Sequence, residues 1–236
     1  SGLYQLLSLR DKLGLKAKVV EAGDGVGGTW YWNRYPGARC DSESHSYSYY
    51  FDKELLEEWQ WSERYPGHAE VVRYLNYAAD KLDLKRDIHF NSRVLSAHYS
   101  QSENRWIVKT EDGREFVCTY LITAVGCLSS TNIPKFPGHE SFEGEWYHTG
   151  QWPHEGVDFK GKRVGQIGTG STGIQAVPVI AETAKHLTVF QRTANYSVPA
   201  ANGPLSPDFQ KYVQENREDI KKTIQTTPNG HPFVIS

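Results

Sequence analysis

The sequence of 236 residues contains no methionine and only 3 cysteines, and its formal net charge is only −2. Without a methionine at position 1, we expect that residue 1 is not a translation start. The three scattered cysteines form neither a disulfide framework nor a metal-binding spacing, so no metal is predicted and a reducing, cytoplasmic compartment is expected. The near-neutral charge gives no electrostatic signal for nucleic acid.

Long apolar runs are missing as well. The run Leu121–Leu128 is far shorter than the ~20 residues that a membrane-spanning helix needs. No basic segment followed by an apolar stretch occurs near residue 1, so no signal peptide is predicted. The sequence is 38% hydrophobic with 21 glycines, which is typical of a globular protein and excludes disordered and collagen-like classes. We therefore predict a globular protein without a membrane or nucleic-acid partner.

The first half of the sequence alternates helical and strand-like patterns. Leucine spacing predicts a helix over Gly2–Leu15, and a short strand follows at Ala17–Glu21. Residues Ala22–Tyr50 are rich in glycine, aromatic and polar residues, which predicts a long functional loop. A helix is predicted over Gly67–Leu84. The strands predicted after it are Val94–Tyr99, Arg105–Thr110, Glu115–Cys118 and Tyr120–Thr123, with a hairpin turn at 111–113.

A second unit begins near residue 162. The pattern predicts a strand at Arg163–Ile167, a helix at Ser171–Ala184 and a strand at His186–Gln191, which together form a βαβ unit. Ser206 then supplies a helix N-cap and Pro207 the first helical position, which predicts a helix that reaches about residue 224.

The best-placed motif is the GxGxxG sequence at Gly168–Gly173, between the predicted strand and helix. Its glycines permit a tight turn and a close approach of backbone N–H groups to a pyrophosphate at the helix N-terminus. Arg192 follows Gly173 by 19 residues, near the ~20 at which a ribose-reading residue is expected. Because a guanidinium suits a 2′-phosphate, Arg192 favours NADP over NAD.

The same spacing occurs at the start of the sequence. Glu21 follows Gly2 by 19 residues, and its carboxylate can accept a hydrogen bond from a ribose 2′-OH. We therefore expect Ser1 and Gly2 to be the last two positions of a second GxGxxG motif, whose strand and leading glycines are absent. An acidic residue here suits FAD or NAD, so two nucleotide sites of different preference predict a flavin that NADPH reduces.

Two longer motifs carry a family resemblance. Residues 142–153 contain Phe142, His148 and Trp152 in the spacing FxGxxxHxxxWP, and residues 27–41 read GGTWYWNRYPGARCD. The first motif matches the fingerprint FxGxxxHxxxW[PD] of type I Baeyer–Villiger monooxygenases, and the second resembles that family's other signature. The resemblance covers nearly all 236 residues.

The resemblance implies an enzyme that uses FAD, NADPH and O2 to convert a ketone into an ester or lactone through a C4a-peroxyflavin. In this family the position of Asp41 lies beside the flavin and the nicotinamide and supports an active-site arginine. Asp41 is therefore the catalytic candidate, although a loop-capping carboxylate is the alternative because Asp is common in turns. His148 belongs to an interdomain linker in the resembled family, so it is not a catalytic candidate.

The resemblance also implies a set of cofactor contacts. The residues expected to contact FAD are Ser1, Gly2, Glu21, Thr29, Trp30, Tyr31, Trp32, Asp41, Tyr47 and, through its backbone, Val94. Those expected to contact NADP are Arg39, Cys40, Asp41, Thr169, Gly170, Ser171, Thr172, Gly173, Ile174, Gln175, Arg192 and Thr193. Core packing is the alternative role for the two tryptophans, since this is the commoner use of such side chains.

We thus predict an α/β protein with two dinucleotide-binding, Rossmann-like domains. The FAD domain is expected to cover residues 1–135 and the NADP domain residues 136–204, and residues 205–236 are expected to begin a helical segment. A small-molecule ketone and O2 are the expected partners, and no oligomeric state is predicted. The alternatives are an N- or S-oxidising flavin monooxygenase, or a nucleotide-binding fragment that is inactive alone because no arginine here fits the family's active-site arginine.

Overall fold

The computed structural model describes residues 1–228. The α-helices in this range are α1 (Gly2–Leu7), α2 (Thr29–Trp32), α3 (Lys53–Glu58), α4 (His68–Lys81), α5 (Ser171–Thr183), α6 (Pro207–Glu215) and α7 (Arg217–Thr226). The strands are β1 (Val19–Val20), β2 (Ile88–His89), β3 (Val94–Ser100), β4 (Arg105–Thr110), β5 (Glu115–Cys118), β6 (Arg163–Ile167) and β7 (His186–Phe190). The described chain divides into two units, of which the first contains residues 1–32 and 72–151 and the second contains residues 33–71 and those from 152 onward.

The first unit contains two small sheets. Strands β1 and β2 pair in parallel, with Val19 opposite Ile88. Strands β3, β4 and β5 form an antiparallel meander, and β4 and β5 have the bounds that the sequence predicts. The β4–β5 turn is fixed by Asp112, whose carboxylate accepts from the Thr110 hydroxyl and from Arg114. These hydrogen bonds hold the pKa of Asp112 well below its usual range.

Several predicted elements of the first unit differ from the structure. The strand predicted at Ala17–Glu21 is only Val19–Val20, and the predicted loop that starts at Ala22 contains the short helix α2. The α-helix that starts at Gly2 ends at Leu7 and continues as a π-helical turn over Ser8–Lys12, in which Leu13 N–H donates to Ser8 O at 3.1 Å. The strand predicted at Tyr120–Thr123 is not formed, and Tyr120 is 82% exposed. A β-strand requires hydrogen bonds to a neighbouring strand, and none of the described sheets includes this run.

The second unit contains the predicted βαβ arrangement. Strands β6 and β7 pair in parallel, with Arg163 opposite His186 and Ile167 opposite Phe190. Helix α5 connects them, and its Ala176 and Ile180 are buried. These two residues are four positions apart, so they lie on one face of the helix. The sequence prediction is confirmed here to within one residue at each boundary.

The helix predicted after Pro207 is interrupted. The Ser206 side chain accepts from Phe209 N–H at 3.2 Å, as expected of an N-cap. However, α6 ends at Glu215, and α7 starts after Asn216, whose Nδ2 donates to Tyr212 O at 2.8 Å. A side chain that satisfies a terminal carbonyl favours a helix end at this position. Residues 229–236 of the predicted helical segment lie outside the described residues.

Candidate nucleotide-binding and active site

The turn between β6 and α5 has the close packing that a GxGxxG motif requires. A Cβ atom at Gly173 would lie 2.5 Å from Gly168 O and 3.0 Å from Gln166 Nε2, so no larger residue fits without a shift. At Gly168 and Gly170, by contrast, a Cβ atom would meet nothing within 4 Å. The turn is therefore packed on its inner side at Gly173 and open at Gly168 and Gly170, of which Gly170 is the position where the motif's backbone approaches the pyrophosphate.

The same turn leads directly into a helix of 13 residues. Gly170 is the N-cap of α5 and has no side chain with which to cap it. Thr169 is held in place by two neighbours, since its Oγ1 accepts from Gln191 Nε2 at 3.0 Å and its carbonyl accepts from Asn195 Nδ2 at 2.9 Å. A helix N-terminus with backbone N–H groups available is an anion-binding feature, so the turn fits a pyrophosphate. The remaining predicted contacts of this motif, Ser171, Thr172 and Ile174, lie in the first turns of the same helix.

The candidate ribose-reading residues lie just beyond parallel strands. Arg192 and Thr193 follow the end of β7 at Phe190, and both are exposed. Glu21 follows the end of β1 at Val20 in the first unit. Arg192 is thus just beyond the carboxyl end of β7 and Glu21 just beyond that of β1, and nucleotides bind at the carboxyl ends of strands in open parallel sheets.

Residues 38–40 form an extended segment that precedes Asp41. Cys40 N–H donates to Pro66 O at 2.9 Å, and Ala38 O accepts from His68 N–H at 2.9 Å. Cys40 is 2% exposed, and burial raises the pKa of its thiol to about 11, so the thiol is neutral and unreactive near pH 7. Asp41 itself is exposed. The structure therefore pins the backbone before Asp41 and leaves its carboxylate accessible.

Gln175 joins this segment to helix α5. Its Oε1 accepts from the Tyr35 hydroxyl at 2.7 Å and from Arg39 N–H at 3.3 Å, and its Nε2 donates to Arg39 O at 3.2 Å. The Arg39 side chain lies 3.9 Å from Glu63 Oε2. Tyr35 is not among the predicted site residues, and no sequence signal pairs it with Gln175, because 140 residues separate the two in the chain.

Several candidate FAD contacts of the first unit lie within α2 or just after β1. Glu21 Oε1 accepts from Gly23 N–H at 2.8 Å, which fixes the carboxylate at the strand end. The Tyr31 hydroxyl donates to Asp24 Oδ1 at 2.7 Å, and a Cβ atom at Gly23 would lie 2.7 Å from the Tyr31 ring. The glycine-rich loop after β1 is thus packed against the helix that carries Tyr31. The other predicted contacts of this unit are Ser1, Gly2, Thr29, Trp30, Trp32 and Val94.

These predicted contacts differ in environment. Ser1 is exposed at the start of α1. A Cβ atom added at Gly2 would lie 3.8 Å from the Cβ atom of Ala124. Trp32 is 38% exposed and makes an edge contact with Tyr31 at 4.8 Å between ring centroids. Val94 at the start of β3 is 45% exposed. The exposed faces of Trp32 and Val94 remain accessible to a ligand.

Tyr47 and the two motif residues His148 and Trp152 are divided between the two units. Tyr47 ends a 3₁₀ turn over Ser44–Tyr47 in the second unit. His148 Nδ1 accepts from Gly150 N–H at 3.0 Å in the first unit, which is a local structural contact. Trp152 belongs to the second unit, where it is buried and packs against Phe159.

Within residues 1–228, no group of three or more His, Cys, Asp or Glu side chains is placed to hold a metal ion. In the same range, no helix is both long enough and apolar enough to cross a membrane.

A parallel βαβ unit with an open glycine-rich turn, and a second strand end that carries a carboxylate, are features of the dinucleotide-binding class of proteins. The chain belongs to the pyridine nucleotide-disulphide oxidoreductase family, whose model matches residues 19–231. This match confirms the predicted α/β, Rossmann-like fold class.

The relatives of this chain include monooxygenases, and a solved structure similar to it contains FAD and NADP. The chain is 45% identical over 233 residues to an acetone monooxygenase (methyl acetate-forming) of Gordonia sp. strain TY-5, covering 99% of this chain and 44% of that protein. It is 50% identical over 235 residues to a Baeyer–Villiger monooxygenase of Pseudooceanicola batsensis, covering 100% and 43%. A crystal structure of OTEMO in complex with FAD and NADP superposes with a TM-score of 0.91 at 43% identity, covering 98% and 44%.

These comparisons confirm the resemblance to Baeyer–Villiger monooxygenases that the two motifs indicate. They also show that the chain spans less than half the length of the relatives it matches, at 44% of the acetone monooxygenase and 43% of the Baeyer–Villiger monooxygenase.

Proposed function

We propose that this chain provides FAD- and NADP-binding parts of a Baeyer–Villiger monooxygenase. The reaction converts a ketone, NADPH, a proton and O2 into an ester or lactone, NADP⁺ and water. One observation carries this proposal. Within the second unit, Arg39 of the motif that ends at Asp41 is hydrogen-bonded to Gln175 of α5, the helix that follows the glycine-rich turn. The names of the relatives support it, since one is a methyl acetate-forming acetone monooxygenase and a solved neighbour holds FAD and NADP.

The residues present fit both cofactors. For NADP, the open turn at Gly168 and Gly170 and the uncapped N-terminus of α5 can receive the pyrophosphate, and exposed Arg192 can pair with the 2′-phosphate. For FAD, the carboxylate of Glu21 is fixed at a strand end, where it can accept from a ribose hydroxyl. The domain bounds 1–135, 136–204 and 205–236 are part of this proposal.

When bound, FAD supplies the redox chemistry of hydride acceptance and O2 activation. The protein binds and orients the two cofactors, and Asp41, carried by a hydrogen-bonded backbone, is proposed to support the active-site arginine that the family resemblance implies. Pinning matters because a small displacement of an orienting group can reduce a rate about 100-fold. The proposed substrates are a small-molecule ketone and O2, and the cytoplasm is the proposed compartment because all three cysteines are free thiols.

The decisive experiment uses the intact FAD-loaded protein. NADPH consumption is followed with and without cyclohexanone or acetone, and the organic products are identified by gas chromatography. We expect ester or lactone from the wild type and a loss of most of that product in Asp41→Ala. If the products are only N- or S-oxides from amine or sulfide substrates, the alternative monooxygenase replaces this proposal, and if no oxygenated product forms from any of them, the proposal is overturned.

A further inference from the structure

The side-chain amide of Gln175 hydrogen-bonds to the backbone of the loop that leads to Asp41. Oε1 accepts from Arg39 N–H at 3.3 Å, and Nε2 donates to Arg39 O at 3.2 Å. The side chain thus pairs with one residue as a neighbouring strand would, using both its acceptor and a donor. Oε1 also accepts from the Tyr35 hydroxyl at 2.7 Å. An amide with these three bonds is held in one orientation.

The opposite edge of the same segment is bonded to another part of the second unit. In an extended backbone, the polar groups of successive residues point to opposite edges. Arg39 directs its N–H and C=O to Gln175, whereas Ala38 O accepts from His68 N–H and Cys40 N–H donates to Pro66 O, both at 2.9 Å. The residues immediately before Asp41 are therefore held on both edges. One edge depends on a side chain, and the other depends on backbone groups.

Gly37 brings this loop unusually close to helix α5. A Cβ atom at Gly37 would lie 2.1 Å from Gln175 O and 3.1 Å from Val179 Cγ2. The backbone of the loop and the backbone of α5 are thus in direct contact beside the Gln175 side chain. Gln175 lies one turn into the helix whose N-cap is Gly170 of the dinucleotide-binding turn. The loop is accordingly attached to the first turns of that helix.

We propose that Gln175 is a positioning residue that couples the NADP-binding turn to the loop carrying Asp41. This inference rests on the proposed function for the roles of NADP and Asp41. The Gln175 side chain bonds to the loop, so we assign any contact of Gln175 with the NADP phosphates to its backbone. The helix and the loop then move as one body. Loss of the Gln175 amide should displace Asp41 while leaving the phosphate-binding turn intact.

The test compares Gln175→Ala with the wild type in the intact FAD-loaded protein. Anaerobic mixing with NADPH gives the rate constant of flavin reduction at saturating NADPH and the Kd for NADPH. We expect the rate constant to fall about 10- to 100-fold, since misplacement by about 1 Å has effects of this size. The Kd should change by less than about 3-fold, because the turn that is proposed to hold the phosphates is unchanged.

A second measurement does not depend on activity. Hydrogen exchange of peptides covering residues 36–43 should be faster in Gln175→Ala, because Arg39 N–H loses its acceptor. Gln175→Glu retains the Oε1 acceptor and the side-chain size but loses the donor to Arg39 O, so its exchange and its reduction rate should be intermediate. It also serves as the test variant if Gln175→Ala does not fold. Gln225→Ala, at an exposed position of α7, is the matched control and should equal the wild type.

The outcomes separate this inference from the proposed function. A large rise in Kd with an unchanged reduction rate and unchanged exchange would make Gln175 a phosphate ligand and overturn the inference. If the wild type forms ester and Gln175→Ala has the same reduction rate and the same hydrogen exchange as the wild type, only the inference is overturned. The reverse result is also distinguishable, because flavin reduction requires no ketone. If Gln175→Ala shows slower flavin reduction and faster hydrogen exchange but the wild type oxygenates no ketone, the coupling is supported and the proposed function fails.

Discussion

The substitution Gly37→Ala tests the close approach between the backbone of the loop and that of helix α5 in the second unit. Gly37 has a φ of +76°, and an added Cβ atom would lie 2.1 Å from the carbonyl oxygen of Gln175. That oxygen belongs to the backbone of helix α5, so it cannot turn away as the end of a flexible side chain would. The new methyl group therefore requires the loop or the helix to shift.

Two costs add in this variant. A non-glycine residue in the left-handed region loses about 1–2 kcal/mol. Overpacking a tight contact typically adds about 1–3 kcal/mol. We therefore expect the free energy of unfolding to fall by about 2–5 kcal/mol, a sum that follows from the same two effects.

Gly161→Ala separates the two costs. Gly161 lies in the same unit with a φ of +73°, but a Cβ atom there would meet nothing within 4 Å. Urea denaturation followed by both circular dichroism and tryptophan fluorescence gives the unfolding free energies and shows whether the two probes report one transition. The reasoning is refuted if Gly37→Ala is no more destabilising than Gly161→Ala.

Three further predictions follow from single groups. Arg192→Ala should weaken NADPH binding about 10- to 100-fold and NADH binding far less, because a charge-assisted contact contributes about 1.5–3 kcal/mol; equal losses in a binding titration would remove its 2′-phosphate role. Glu70→Ala should lower the unfolding free energy by about 3 kcal/mol, because buried Glu70 accepts from Ser62 N–H at 2.9 Å and from its hydroxyl at 2.7 Å; a urea midpoint equal to that of the wild type would contradict this. Cys40 should resist thiol labelling at pH 8 until the protein unfolds, since burial raises its pKa to about 11, whereas exposed Cys127 should react; mass spectrometry showing equal labelling of both would refute the assigned burial.

Much of the local structure was predictable because it depends on patterns within a few residues. Alternation and turn residues predicted β4 and β5 with their observed bounds, and the glycine spacing placed the turn between β6 and α5. One failure occurred where long-range strand pairing decides the outcome, and another is a local change of helix type. Tyr120–Thr123 has strand-like residues but lies in none of the described sheets, and a π-helical turn at Ser8–Lys12 is not encoded by leucine spacing.

The sequence by itself determined the βαβ unit, the position of the glycine-rich turn between β6 and α5 and, through two long motifs, the family resemblance that the comparisons confirm. These features are carried by residue types at fixed spacing. Only the tertiary structure decided what Gln175 does, because its partners Tyr35 and Arg39 are 140 and 136 residues away in the chain. Hydrogen bonds between such distant groups leave no periodic signal in a single sequence, and they depend on the packing of α5 against the loop at Gly37.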